Sequence, residues 1–598
     1  MKLTKRTCYV LIMFLIMLNI VFRYPTTPHE IGADSFFIHS LANSITNNGD
    51  AKWILHPLSF FGLYPVSYAS AVPFILSGMS QVLGVETEIS ILIFSTVLGT
   101  LNFLGAYLLM GEIINDDRFK IVVAFVYSLS PLILKFTIWT ASTRGLFIAL
   151  LPLFLWCILK LVNKHHIWKY MGLSIFLLLL LTATHRMVWF VVVPIIFYIA
   201  ATFIHNTGTS KSSFGMYASK ILLIPVMIAI FAVFFIATYH FILPADSTFQ
   251  SIISTLIENK YSVFLFLVST GVLMIFFQLY VKTHTITMMT GVGLVALFAT
   301  LISMQLTDLA VLRDFSGVLA LDVPFVEESE AIYYPQLFFL TSVIILGARY
   351  GIMIFFMAIG IILLSFKQKK IGNNVMILTS LFFINTILFV EYSHDFLAIF
   401  LFIVAGYGVF WYIENWRSVK RYAFSMLAII LLLSLVFSAY TLGYRYSNMF
   451  PTTGDHNYMV DPTYQTGIFL RTYANGTFYG NDFEALRVAA SSGLVYLGTI
   501  QYEFVDKEKM TIIPKDFSIA GLPNYMKNPF IIVKSNITSI DTRYDCDSEI
   551  ARNFTSYYSI EYLVSNIVVM TDKSVFANSV YGKRYEMFAN ERDIIFYL

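Results

Sequence analysis

The sequence predicts a polytopic α-helical membrane protein of about 13 transmembrane helices, followed by a C-terminal extracytoplasmic α/β domain. Three observations predict it. Charged residues make up 13% of the 598, roughly half the share carried by a soluble globular chain. Hydrophobic residues reach 58%, with a mean hydropathy of +0.73. The long apolar runs stop near residue 443, where charged residues and Asn become common. The net charge of +3, without a basic tract, argues against a nucleic-acid partner. Cys8 and Cys157 lie in or beside apolar segments and Cys546 stands by itself near the C-terminus, so the spacing provides no metal cluster there and no disulfide within that region.

The N-terminus, Met1 to Arg6, is basic and leads into an apolar run ending at Phe22. No small-residue cleavage site precedes Arg23-Tyr24-Pro25, which favours an uncleaved first span at 7–23 over a signal peptide. Further spans are predicted at 89–110, 120–138, 146–162, 170–185, 187–204, 220–242, 261–281, 285–305, 349–366, 371–390, 396–413 and 422–442. An interfacial helix at 336–347 precedes the span at 349–366. With the N-terminus cytoplasmic, roughly 17 basic residues fall inside and about 8 outside, as the positive-inside bias requires. The odd helix count then places everything after Leu442 outside, and the sequons at Asn475, Asn536 and Asn553 agree with that placement. The expected location is the cell (plasma) membrane. Residues 1–443 form the transmembrane domain, with long outer loops at 24–88 and 306–335, and residues 444–598 form the soluble domain.

Within the first outer loop, Asp34 to Ile45 reads as a helix with Asp34 as N-cap and Phe37, Ile38, Leu41 and Ile45 as its apolar stripe. The turn Asn47-Asn48-Gly49-Asp50 ends it. Residues 67–83 are moderately apolar, broken by Pro73 and Gly78, and are expected to lie in the interface. In the soluble region Phe483 to Ser491 reads as a helix and 530–533 as a strand. Residues 585–588 and 594–598 read as a closing hairpin.

Chemistry-bearing residues gather on the outer face. Asp34, just outside the membrane, is a candidate general base or metal ligand, with Glu30, His29 and His39 placed to tune it. An N-cap Asp beside solvated histidines is the plainer reading of the same pattern. The second long loop carries Asp308, Asp314, Asp322, Glu327, Glu328 and Glu330, either a solvated acidic loop or a lid supplying a carboxylate. Lys135, Arg144, Arg186 and Arg349 fall near outer ends of spans, where they either snorkel to headgroups or together bind a lipid phosphate. Arg144 and Arg349, flanked by Gly or Ala and apolar sequence, fit the second role best.

A basic N-terminus, one span, and an outer loop opening with Gly32-Ala33-Asp34-Ser35-Phe36-Phe37 and continuing to Asn48-Gly49-Asp50 and His56-Pro57-Leu58 resembles the GT-C superfamily of membrane glycosyltransferases. The architecture is nearest the catalytic subunit of oligosaccharyltransferases. The resemblance implies transfer of a sugar from a polyprenyl-phosphate donor to a glycan, lipid or protein acceptor at the outer face. Asp34 would be the catalytic base or the ligand of a divalent metal such as Mg or Mn. Glu30 and Glu330 would position the acceptor, and Arg144, Arg349, Arg186 and Lys135 would hold the lipid phosphate. Two departures stand out. The stretch Trp139 to Gly145 has no acidic residue where that branch carries its second acidic motif, and the Trp-Trp-Asp signature of its soluble domain is absent. Two rival classes therefore stand beside the enzyme: a non-catalytic relative that scaffolds cell-surface assembly, and a membrane transporter or flippase.

Overall fold

In a computed structural model the described residues are 4–49, 71–114, 116–162, 166–185, 393–415, 458–474, 477–480 and 482–497. Shorter pieces lie at 188, 350–360 and 425–439, and in strands between 505 and 597. The predicted spans between 189 and 349, the span at 371–390, and the acidic loop 306–335 lie outside the described residues.

Helix α1 (Lys5–Val21) leads into α2 (Ala33–Asn48), α3 (Ala71–Leu83), α4 (Thr87–Ile113), α5 (Asp117–Ser128), α6 (Pro131–Lys135), α7 (Thr143–Val162) and α8 (Ile167–Thr184). Among the described residues α4, α7 up to Leu161, and α8 are long and apolar enough to cross a membrane. With the apolar composition, they make the chain an integral membrane protein. α4 is the central post: α1, α3, α5 and α7 all pack on it, and α9 (Ser393–Asn415) packs against α5 and α7.

The third predicted span, 120–138, does not form one helix. α5 stops at Ser128, α6 has five residues, and irregular backbone runs to Ser142. Pro131 is the cause. It has no N–H to donate and disfavours helical φ/ψ at the residue before it. Ser130 accordingly adopts φ −65°, ψ 149°, and its hydroxyl caps the Ile133 amide of the new helix. At ~1.5 Å per residue, α5 is too short to cross an apolar layer about 30 Å thick.

A break inside an apolar protein leaves backbone carbonyls without helical partners. Arg23, fully buried at the end of α1, supplies donors there. Its guanidinium donates to the Ser128 carbonyl at 3.0 Å, to Thr137 Oγ1 at 2.8 and 3.1 Å, and to Asn19 O and Oδ1 at 3.1 and 2.9 Å. Gly99 of α4 makes room for it, because a Cβ there would overlap the guanidinium.

The C-terminal elements are α10 (Asp461–Tyr473), β1 (Thr477–Gly480), α11 (Asp482–Ser492), β2 (Val495–Leu497), β3 (Val505–Asp506), β4 (Thr511–Ile512), β5 (Phe530–Ile531), β6 (Ile560–Asn566), β7 (Tyr585–Ala589) and β8 (Asp593–Tyr597). Among the described residues six strands form one sheet, in the order β5-β2-β1-β6-β8-β7. The first four pair in parallel, and β8 adds antiparallel to β6 and β7. α11 lies between this sheet and α2: Asn43 donates to the Ala490 carbonyl at 2.7 Å, and the Arg487 guanidinium sits 5.7 Å from the centre of the Phe36 ring. The C-terminal region thus rests on the helix that carries Asp34.

Candidate active site

The site is built where the first turns of α2 and α7 meet. Gly32, at φ +97°, precedes α2, a conformation L side chains rarely adopt. It makes Asp34 the second residue of the helix rather than its N-cap. A carboxylate in the first turn interacts favourably with the helix dipole without capping it. α2 runs three residues past Ile45 and ends at Gly49 in the left-handed conformation, where the sequence signals a turn. α3 passes through Pro73 and Gly78 unbroken. Pro73 is tolerated because it lies in the first turn.

Residues 30 and 31 are held on both sides. Ile31 N donates to the Trp139 carbonyl at 3.0 Å, and the Glu30 carbonyl accepts from Met459 N at 3.1 Å. Glu30 is fully buried and both carboxylate oxygens are occupied. Oε2 accepts from the Ser35 hydroxyl at 2.5 Å, and Oε1 faces His39 Nδ1 at 2.5 Å. The Ser35 oxygen in turn accepts from Ala141 N at 2.7 Å. Burial lowers the His39 pKa, but the charge and hydrogen bond of Glu30 outweigh it, so His39 titrates above its usual range. This inner network fastens α2 to the irregular stretch before α7. Ser95 of α4 fastens the same stretch from behind, donating to Thr140 O and accepting from Thr140 N, both at 3.3 Å.

One consequence is where Arg144 falls. It is the second residue of α7, and its Nη2 lies 3.7 Å from Asp34 Oδ2. The Asp34 side chain is 70% exposed and that of Arg144 20%, so the pair faces outward from a firm base. The Phe136 ring lies under two cations, Lys135 Nζ at 5.1 Å and Arg144 Cζ at 5.3 Å from its centre. The site therefore combines one exposed carboxylate, two cations over one aromatic ring, and the positive end of α7.

Of the residues singled out from sequence, the structure brings Asp34, Arg144 and Lys135 into one neighbourhood, with Glu30 directly beneath. Arg186, Glu330 and Arg349 lie outside the described residues. As a metal ligand Asp34 is a single carboxylate with a guanidinium beside it, and among the described residues no three His, Cys, Asp or Glu converge on it. Mg or Mn, which need several oxygen ligands, would find one carboxylate here among the described residues. The sequence reading did not find Ser35, Glu88 or Asp461. Ser35 gives no signal, but Glu88, an acid at the start of an apolar span, is a weak one.

The fold, apolar helices with a mixed sheet held against α2 through α11, is GT-C-like, as its similarity to solved structures shows. The archaeal oligosaccharyltransferase AglB from Archaeoglobus fulgidus, solved with an inhibitory peptide and a dolichol-phosphate, is similar at TM-score 0.55 and 13% identity over 96% of this chain and 71% of that one. The A. fulgidus oligosaccharyltransferase tethered to an acceptor peptide containing the NVT sequon matches at TM-score 0.53 and 12% identity, over 97% and 71%. Its complex with Zn and sulfate matches at 0.52 and 12%, over 93% and 68%. No protein-family profile and no curated protein matches the sequence.

Proposed function

We propose that the chain is a membrane glycosyltransferase that moves a sugar from a polyprenyl-phosphate carrier to a hydroxyl or amide acceptor. The observation that carries this reading is the 3.7 Å approach of Arg144 to the exposed Asp34. Asp34 takes the proton of the acceptor as its heteroatom bonds to the sugar's anomeric carbon. The bond from that carbon to the phosphate oxygen breaks, and the carrier leaves with the bonding electrons. Arg144, helped by Lys135, binds that phosphate and stabilises the charge it gains. The long ion pair suits this exchange, because Arg144 turns to a phosphate without leaving a tight bidentate pair.

Glu30 is a positioning residue here, since both its oxygens are engaged inside the fold. Arg349 and Arg186 are proposed as further phosphate ligands, and Glu330 as an acceptor contact. The outer face of the cell membrane is the proposed location. The similar fold supports this reading, because AglB was solved with a dolichol-phosphate and with peptides. Asp34→Asn is expected to lower transfer of a radiolabelled polyprenyl-phosphate sugar in membranes by about 10²–10⁴-fold. An unchanged rate would overturn the proposal and favour a transporter or scaffold.

A further inference from the structure

A second cluster lies behind the site, where the start of α4 meets α10. His29 is the hub. Its Nδ1 faces Glu88 Oε1 at 3.0 Å and its Nε2 faces Asp461 Oδ1 at 3.0 Å. The ring stacks on Tyr464 at 4.1 Å between centres and 18° between planes. Tyr464 donates to Glu86 Oε2 at 2.9 Å, and Arg471 donates to Glu86 Oε1 at 3.2 Å. The charged and titratable groups that face the hub are therefore Glu86 and Glu88 from the start of α4, and Asp461, Tyr464 and Arg471 from α10. The Glu30–His39 pair lies beside them, since Glu88 Oε1 also accepts from Glu30 N at 3.1 Å.

A neutral imidazole has one N–H, and its other nitrogen is an acceptor. Opposite two carboxylates, which only accept when ionised, that acceptor nitrogen would face a lone pair. Only the imidazolium satisfies both contacts. We propose that His29 is a pH-sensitive latch: as an imidazolium it ties α10 to the start of α4 from both ring nitrogens, and losing a proton loosens that tie. The proposal stands independently of the reaction assigned to Asp34.

The direction of the response follows. Burial lowers the His29 pKa, and the hydrogen bonds and charges of Glu88 and Asp461 more than compensate, so it lies above the ordinary value of about 6.5. A raised folded pKa contributes docking stability fully below about pH 6.5, and that contribution is lost as pH rises through the folded value. The Glu88 contact is the stronger partner, since its side chain is 8% exposed against 75% for Asp461, where solvent screens the charge.

Hydrogen–deuterium exchange of the purified full chain in detergent tests this, following the peptide that spans 458–465. At about pH 6 His29→Gln is expected to exchange about tenfold faster than wild type there, and the two converge as pH rises through the folded value. Exchange in α7 serves as the reference for a folded protein. Asp461→Asn, which changes an exposed side chain and spares the core, is expected to move the wild-type transition to lower pH. Equal protection of wild type and His29→Gln at about pH 6 would overturn the latch. So would an Asp461→Asn transition that stays at the wild-type pH.

Discussion

Ser35 Oγ lies 2.7 Å from the Ala141 amide and 2.5 Å from Glu30 Oε2, so one hydroxyl joins the first turn of α2 to the stretch that precedes α7. Ser35→Ala leaves a buried amide and a buried carboxylate oxygen each short of a partner. Leaving such groups unsatisfied costs about 1–3 kcal/mol. Chemical denaturation in detergent should show a loss of that size. A variant as stable as wild type would mean the hydroxyl is dispensable.

The buried Glu30–His39 pair has its own pH signature. Removing one member of a buried pair typically costs about 3–5 kcal/mol, so Glu30→Gln should be strongly destabilised below about pH 6.5. Because the His39 pKa is raised, the pair's contribution fades as pH rises through the folded value, and the gap between variant and wild type should narrow. Melting curves recorded in a His29→Gln background isolate this titration from that of the latch. A gap that widens as pH rises above about 6.5 would contradict the assignment.

Arg144 is expected to act on donor binding. A hydrogen bond from a charged donor contributes about 1.5–3 kcal/mol, so Arg144→Ala should weaken binding of a polyprenyl phosphate roughly 10–100-fold. Arg144→Lys, which keeps the charge and loses the planar fork, should fall between. Asp34→Asn should leave this affinity close to wild type. Isothermal titration with the lipid phosphate in mixed micelles reads all three, and an Arg144→Ala variant that binds normally would remove it from the donor site.

Gly99 and Gly145 are closely packed positions. A Cβ on Gly99 would overlap the Arg23 guanidinium, and one on Gly145 would overlap the Phe136 carbonyl. Overpacking a tight core costs about 1–3 kcal/mol, so each Ala variant should lower the melting temperature and folded yield. Gly172→Ala in α8, where nothing lies within 4 Å, should be neutral or stabilising by about 0.5–1 kcal/mol. Fluorescence-detected size exclusion after heating compares all three.

The sequence made some features readable and hid others. Continuous apolar runs revealed α4, α7 and α8, since a bilayer demands about 20 such residues in a row. The same signal hid the break at Ser130-Pro131, because hydropathy continues across it while backbone geometry does not. Asp34 was legible as an acid beside a membrane, and Arg144 as a cation at the end of a span. Their meeting was not, because it depends on Ser35, Thr140 and Ser95, small polar residues with no pattern of their own. Glu30 read as a partner of Asp34, but the turn at Gly32 sends the two carboxylates to opposite sides, one inward and one out. His29 read as a residue that tunes Asp34, because its actual partner Asp461 is remote in sequence.

That remoteness sets a timetable. His29 and Asp461 are 432 positions apart, and Met459, which bonds the Glu30 carbonyl, is nearly as far away. At a synthesis rate of about 5–20 residues per second, the start of the chain waits roughly 20–90 s for these partners to emerge. Throughout that interval Glu88 and the Glu30 carbonyl face an unfinished surface. The Asp34 site thus acquires these supports only once residues 459–461 have been made, so a chain truncated before residue 458 carries Asp34 and Arg144 but lacks the contacts from Met459 and Asp461.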